Sequence, residues 1–352
     1  MTDRYAANDL IQAAAQLFTR AGAADEVAMA MAEILVEADL LGYSTHGLQF
    51  VPAYLAAFEN GKTLGNGDPE IAIDNGATMV LDGKGLAGQW VMLKALDLAF
   101  ERIMNTALVG IAIRNTANIS CLATYARRAA MKGYFAIVAA SAPTNAVVAP
   151  FGASTPVYST NPFAVGIPSQ EHPILIDTST SAVTNRSIER AERLGEQLSF
   201  PGLVAPDGTL SADPACFRAN PPGAIRPAGG DEAGHKGFAL ALLVEALTSG
   251  LSGLGRSSNP KPAGNTVYLQ LIDPNGFAGQ DHLAHETGFF ADLCRAATPR
   301  DPANPVRVPG DRAARLFAEQ SANGVVLHPE LIGLIRPCLE KYGVPIPKPL
   351  AP

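Results

Sequence analysis

The chain has only four cysteines, Cys121, Cys216, Cys294 and Cys338, and none of them forms a Cys-x-x-Cys pair. That scatter argues against a disulfide framework or a thiolate zinc site and predicts reduced thiols in a cytoplasmic protein. Charge is also scarce, at 17% of 352 residues with a net of −7. A general nucleic-acid surface or an anionic-membrane surface needs clustered lysine and arginine, so neither is expected as a partner. No uncharged apolar run reaches the roughly 18 residues needed to cross a bilayer. The first residues lead directly into an amphipathic pattern without a signal-peptide core. There is one tryptophan, Trp90, and no internal repeat. What remains is 47% hydrophobic, enough for one large elaborated domain or two. The expected partners are a small molecule and a second copy of the chain.

Apolar periodicity predicts helices over residues 8–21, 25–41 and 48–60, the second opening at Asp25-Glu26, where acidic side chains suit the positive helix end. The period then shortens, predicting strands at Glu70–Asp74, Thr78–Asp82, Val109–Arg114, Phe135–Ala140, Pro173–Asp177 and Thr266–Asp273. Helices are expected over 89–105, 119–132, 185–197, 238–249, 282–297 and 311–322, with a short one at 329–342. Residues 141–168 read as a Pro-, Ser- and Asn-rich connection with short β-type pairs at Val147-Val148 and Val157-Tyr158. Residues 200–228 read as loop.

Several stretches carry candidate chemistry. Ser44-Thr45-His46-Gly47 interrupts two helical patterns and can present an imidazole to a cleft, with a pKa suited to proton exchange, although a simple capping turn also fits. Gly83-Lys84-Gly85-Leu86-Ala87-Gly88 matches G-x-G-x-x-G between a strand and a helix. The next strand, however, ends in Arg114-Asn115 instead of the acidic residue a dinucleotide fold uses, so a tight turn is the better reading. Asp177-Thr178-Ser179-Thr180-Ser181 is a hydroxyl-rich strand end running into a helix, suited to ribose or phosphate oxygens. Lys236, in Gly234-His235-Lys236-Gly237, fits an anion clamp or an exposed loop lysine equally well. His282 and His285, flanked by Asp281 and Glu286, lack the further ligands a metal site needs, so no metal is expected. Asp311 and Arg312 open a helix where either ligand contact or capping is possible.

Taken in order, these pieces resemble the type-2 malate/L-lactate dehydrogenase family, which includes sulfolactate and ureidoglycolate dehydrogenases and reductases of cyclic imino acids. The resemblance rests on Ser44–Gly47 with Pro52 and Tyr54, Pro150-Phe151-Gly152, Thr160-Asn161-Pro162, Asp177–Ser181, Gly234–Gly237 and Pro309-Gly310-Asp311, and it covers nearly the full length. The Gly-His-Lys-Gly run looks most like the imino-acid reductase branch. The resemblance implies an α/β protein with a non-Rossmann NAD(P)-binding fold and a helical domain built from both chain ends. On that basis residues 1–118 with 299–352 would form the helical, substrate and dimerisation region, and 119–298 the NAD(P) domain. It implies a homodimer that reduces a C=O or C=N group, with His46 as proton donor beside Thr45, where the family usually has serine. Thr144, Asp177, Thr178, Ser179, Lys236, Pro309, Gly310, Asp311 and Arg312 fall where the family holds the cofactor. NADP is slightly favoured over NAD because Arg186, Arg190 and Arg312 lie near those segments.

Two departures stand out. Phe50 occupies a position where many members carry an arginine suited to a substrate carboxylate, and Asn118 one where many carry histidine. With Tyr54, these are the candidate substrate contacts. Phe50 makes that wall apolar, which favours a bulkier or less charged substrate or one bound by another group. The alternative is a member that has lost catalysis and binds a nucleotide or metabolite.

Overall fold

Helical patterning at the two ends of the chain and strand patterning between them produce a layered α/β molecule. The computed structural model describes residues 3–260 and 264–350. The first segment forms β1 (Arg4–Tyr5), α1 (Ala7–Arg20), α2 (Asp25–Leu40) and α3 (Val51–Glu59). The middle segment follows with β2 (Glu70–Asp74), β3 (Thr78–Asp82), α4 (Gly88–Ile103), β4 (Leu108–Thr116), α5 (Leu122–Met131) and β5 (Phe135–Ser141). Next come β6 (Phe163–Ile167), β7 (Ile174–Thr178), α6 (Asn185–Leu194), β8 (Leu203–Val204), β9 (Leu210–Ser211), α7 (Ala215–Arg218) and β10 (Ala224–Ile225). The chain closes with α8 (Gly230–Glu245), β11 (Asn265–Ile272), α9 (Gln280–Ala296), α10 (Asp311–Asn323), β12 (Val325–Val326) and α11 (Pro329–Lys341).

Seven strands form one sheet in the order β2-β3-β4-β11-β5-β6-β7. Every neighbouring pair is antiparallel except β3 and β4, which are parallel and joined by α4. One continuous sheet therefore joins segments on both sides of the boundary expected at residue 118. Alternation along β4 places Val109, Ile111 and Ile113 on one face, where α4 and α5 cover them and Tyr125 is fully buried. The second core lies among α1, α2, α3 and α11. It packs Leu17, Phe18, Val27 and Leu35 against Val325, Leu327, Ile335 and Leu339 from the far end of the chain. Because α2 sits in the middle of this layer, it is apolar on nearly every face. One of its two buried carboxylates, Glu37, receives Arg127 at 3.1 Å and Arg128 at 2.9 Å from α5, which ties the helical layer to the sheet.

The sequence expectations match most elements to within a few residues. Two differences have local causes. Strand β6 lies in the segment read as a connection, directly after Pro162 and with Gly166 inside it, and this composition hides a strand. The three-stranded sheet β10-β8-β9 falls in the stretch read as loop, and its two-residue strands are too short to show a period.

Candidate active site

Helix α2 ends at Leu40, and two tight turns at Ser44–His46 and Leu48–Phe50 carry the chain into α3. Asp39, buried at the end of α2, fixes that passage by accepting the Leu48 amide at 2.8 Å. A Cβ at position 47 would come within 2.4 Å of the Asp39 carboxyl group, so glycine is required there. Burial pushes the Asp39 carboxyl up to about 7, against the opposing effect of the Leu48 hydrogen bond. From the other side the Ser120 hydroxyl donates to the His46 carbonyl. The imidazole is thus held at both its backbone and its ring, since Thr45 Oγ1 lies 3.0 Å from Nδ1. With Nδ1 engaged, Nε2 is left for the cleft.

Burial pulls the His46 pKa down to about 4, and the Arg186 guanidinium adds to the effect. The unfolded chain takes up this proton near 6.5, so the unfolded state binds more protons between pH 6.5 and about 4. His46 therefore contributes stability that is complete above pH 6.5 and is lost as pH falls through that window. In the cofactor-free protein, the histidine proton resonance that disappears in His46→Gln is expected to titrate near pH 4. Arg186→Gln is expected to move that midpoint upward. A midpoint above 6 would show that the ring is not desolvated.

Asn118 faces the same cleft and has a defined orientation. Its Oδ1 accepts from Tyr54 Oη at 2.7 Å and from the Ser120 amide at 2.9 Å, so the amino group is the part free to donate. Gln89, fully buried, donates to Tyr54 Oη at 2.9 Å and completes the chain of bonds. Tyr54 stacks on Phe50 with centroids 5.3 Å apart, and Phe50 lies 5.7 Å from the His46 ring.

The cleft, about 420 Å³ in all, continues toward a hydroxyl- and amide-rich end lined by Ser141, Asn145, Ser159, Thr160, Thr178 and Ser179. Asp177 lies where the two ends meet. Its carboxylate accepts from the Ala123 amide at 3.0 Å and the Cys121 thiol at 3.7 Å, and burial raises its pKa to about 6. Nearby, Asn185 Oδ1 is buried without a protein donor, an acceptor suited to a ribose hydroxyl or a carboxamide N–H. The donor and acceptor set of this end therefore fits a nicotinamide nucleotide. Behind it, Arg256 donates to the carbonyls of Pro143 and Asn145 and pairs with Glu245, while Glu245 accepts from Ser141 and Asn161. This supporting network has no local sequence signal, because its members come from four separate segments.

Thr45, His46, Phe50, Asn118, Asp177, Thr178 and Ser179 converge on one cleft, with Tyr54 directly behind it. The other expected contacts lie apart. Thr144 is exposed on the turn beside the cleft residue Asn145. Lys236 is exposed in the second turn of α8, whose neighbours Gly234 and Gly237 let the helix lie against Phe151 and Ala228. Pro309 and Gly310 pack on the start of β7, where the Pro309 carbonyl accepts from Leu175. Asp311 is held by Arg295 at 2.7 and 3.2 Å, and Arg312 is exposed beside Gly42. His282 and His285 stand on α9, and among the described residues no three metal-ligating side chains gather.

The Gly83–Gly88 turn sits in a true parallel strand–helix–strand unit, yet its amides are already engaged. Gly83, Gly85 and Ala87 donate to the carbonyls of Arg114, Asn115 and Leu64, and Lys84 donates to the Asp82 side chain. The amides from Gly83 to Ala87 are thus taken up within the protein, and Arg114 is paired with Asp82. Gly88 is needed for packing, since a Cβ there would lie 2.4 Å from the Asn118 carbonyl oxygen.

The site is that of an α/β protein with a mixed sheet and a polar groove that ends at a histidine. The chain belongs to the malate/L-lactate dehydrogenase family, whose model matches residues 5–336. Enzymes of this family use a nicotinamide cofactor. The L-lactate dehydrogenase of Cupriavidus necator is 31% identical over 307 residues, covering 84% of this chain and 86% of the other. A Δ1-pyrroline-2-carboxylate/Δ1-piperideine-2-carboxylate reductase of Pseudomonas putida is 30% identical over 329 residues, covering 90% and 92%. The malate dehydrogenase structure from Entamoeba histolytica shares the fold, with a TM-score of 0.92 at 22% identity, covering 99% of this chain and 100% of that one. Among the described residues, no helix is long and apolar enough to cross a membrane.

Proposed function

We propose that the protein is an NAD(P)H-dependent reductase of a C=O or C=N group in a 2-oxo acid or cyclic imino acid, with His46 as the proton donor. The observation that carries this reading is the pairing of His46, fixed through Nδ1 by Thr45, with the amino group of Asn118 across one cleft. The bound nicotinamide supplies the hydride. The chain's own residues orient the acceptor group and deliver the proton. His46 Nε2 protonates the oxygen or nitrogen that gains charge, while the Asn118 amino group hydrogen-bonds the same atom or its neighbour. Thr178, Ser179 and Asn185 would hold ribose and phosphate oxygens, and Asp177 would accept from the carboxamide or ribose.

NADP remains the favoured cofactor only through Arg190 and Arg312, both exposed, and titration with NADPH and NADH decides between them. The four free thiols fit a reducing compartment, so the proposed location is the cytoplasm. Assays with pyruvate, phenylpyruvate and Δ1-piperideine-2-carboxylate test the reaction directly. Turnover of any of them supports the reading. If all three fail while cofactor binds, the alternative of a nucleotide-binding protein without catalysis takes its place.

A homodimer is part of the same proposal. Leu240 and Leu243 of α8 and Phe289, Phe290 and Leu293 of α9 are all exposed, large apolar side chains of the kind a subunit contact covers. Sedimentation is expected to give twice the chain mass. Leu243→Asp is expected to shift the protein toward monomer.

A further inference from the structure

Phe50 makes one wall of the substrate end apolar, but a cation stands directly on it. The Arg186 guanidinium carbon lies 4.4 Å from the centroid of the Phe50 ring, and that ring is 5.7 Å from His46. The two residues are 136 positions apart in the chain and meet only because α6 begins at the mouth of the cleft. We propose that Arg186 is the residue that grips the substrate's carboxylate, using Phe50 as its platform, an assignment that rests on the reductase reading above.

Four features support it. Among the described residues, Arg186 is the one lysine or arginine that lines the cleft. Its Nη1 is held by Glu189 at 2.7 Å, which orients the planar fork, while its Nε and Nη2 have no acceptor among the described residues. That edge is the one that forms a bidentate pair with a carboxylate. Stacking on an aromatic face further restrains a side chain that would otherwise lose much rotamer freedom on binding. Finally, Arg186 is the second residue of α6, whose N-terminus is capped by Thr184 and adds a favourable field for an anion.

The position also argues against a 2′-phosphate as the natural partner of Arg186. That phosphate sits on the adenosine half of the cofactor, whereas this guanidinium stands beside the imidazole that serves the nicotinamide end. A carboxylate one bond from the reacting carbon would lie between Arg186 and Asn118. It would neutralise the cation that disfavours a proton on His46, so substrate binding would itself help charge the acid.

The test compares phenylpyruvate with its methyl ester in the wild type, Arg186→Gln and Arg186→Lys, alongside NADPH and NADH affinities. For Arg186→Gln, kcat/KM on the acid is expected to fall about a hundredfold, as on losing a desolvated charge pair, with most of the loss in KM. The ester should change little, and Arg186→Lys should fall in between. Equal losses on acid and ester, or none on either, would overturn the assignment. So would a loss of NADPH affinity with substrate KM intact, which would make Arg186 a 2′-phosphate contact. If the wild type reduces neither compound, oxamate calorimetry with the wild type and Arg186→Gln judges Arg186 separately from the reductase reading. Binding abolished by the substitution supports the carboxylate grip. Absent or unaltered binding refutes it.

Discussion

Replacing His46 by Ala is expected to lower turnover in the reduction direction about a thousandfold, within the range that loss of a positioned general acid costs. Cofactor affinity is expected to stay nearly unchanged, because the hydroxyl- and amide-rich end of the cleft is built from β5, the connection after it, the end of β7 and the start of α6, and not from the His46 turn. The turn itself should survive the substitution. It is held by the Asp39 carboxylate on the Leu48 amide and by the Ser120 hydroxyl on the His46 carbonyl, and neither bond uses the imidazole. A fall in kcat with the dissociation constants of NADH and NADPH intact is therefore the signature of a lost proton donor. Turnover within tenfold of the wild type would remove His46 from the chemistry. Thr45→Val makes a useful companion, because it frees Nδ1 without touching the donor nitrogen.

The second large effect lies in the Gly83–Gly88 turn. Gly88→Val is expected to destabilise the fold by about 3 kcal/mol, at the upper end of overpacking costs. The new Cβ would meet the backbone oxygens of Ala117 and Asn118 at 2.5 and 2.4 Å, and backbone cannot rotate away as a side chain does. Whatever relief the structure finds must move Asn118, so substrate KM should rise as well. Gly85→Ala provides the contrast. Its φ of +77° strains any side chain, but the space around it is open, and the expected loss is about 1 kcal/mol with cofactor affinity unchanged. Thermal melts and cofactor titrations on the two variants separate these outcomes. A Gly85 variant that loses cofactor would return this turn to the list of nucleotide sites.

The same turn explains what could be read from the sequence. Glu70–Asp74 and Thr78–Asp82 are legible as strands because turn residues bound them on both sides, and the glycine run after them is legible as a tight turn. That the Gly83, Gly85 and Ala87 amides are engaged is a tertiary fact, since their acceptors are the carbonyls of Arg114, Asn115 and Leu64. The site divides in the same way. His46 and Asp177–Ser179 announce themselves by local chemistry at element ends, and they do line one cleft. Lys236 offers an equally good local pattern, yet the helix begins at Gly230, earlier than its glycines suggest, which leaves the lysine exposed in the second turn. Arg186 gives the opposite lesson. In the sequence it is one charge among several on an amphipathic helix, and only the fold sets it on Phe50.

The closing of the helical layer by both ends of the chain bears on the order of synthesis. Strand β1 pairs with β12, Leu350 donates to the Arg4 carbonyl, and Gln320 reaches back to the carbonyls of Asp39 and Leu40. A growing polypeptide can assemble the whole seven-stranded sheet once Ile272 has emerged. The bed beneath His46 must wait for Val325 through Val344. Nascent chains arrested before that point would carry a formed polar groove and an unformed His46 turn. Chaperone dependence should therefore centre on the first sixty residues, which leave the ribosome first and find their partners last.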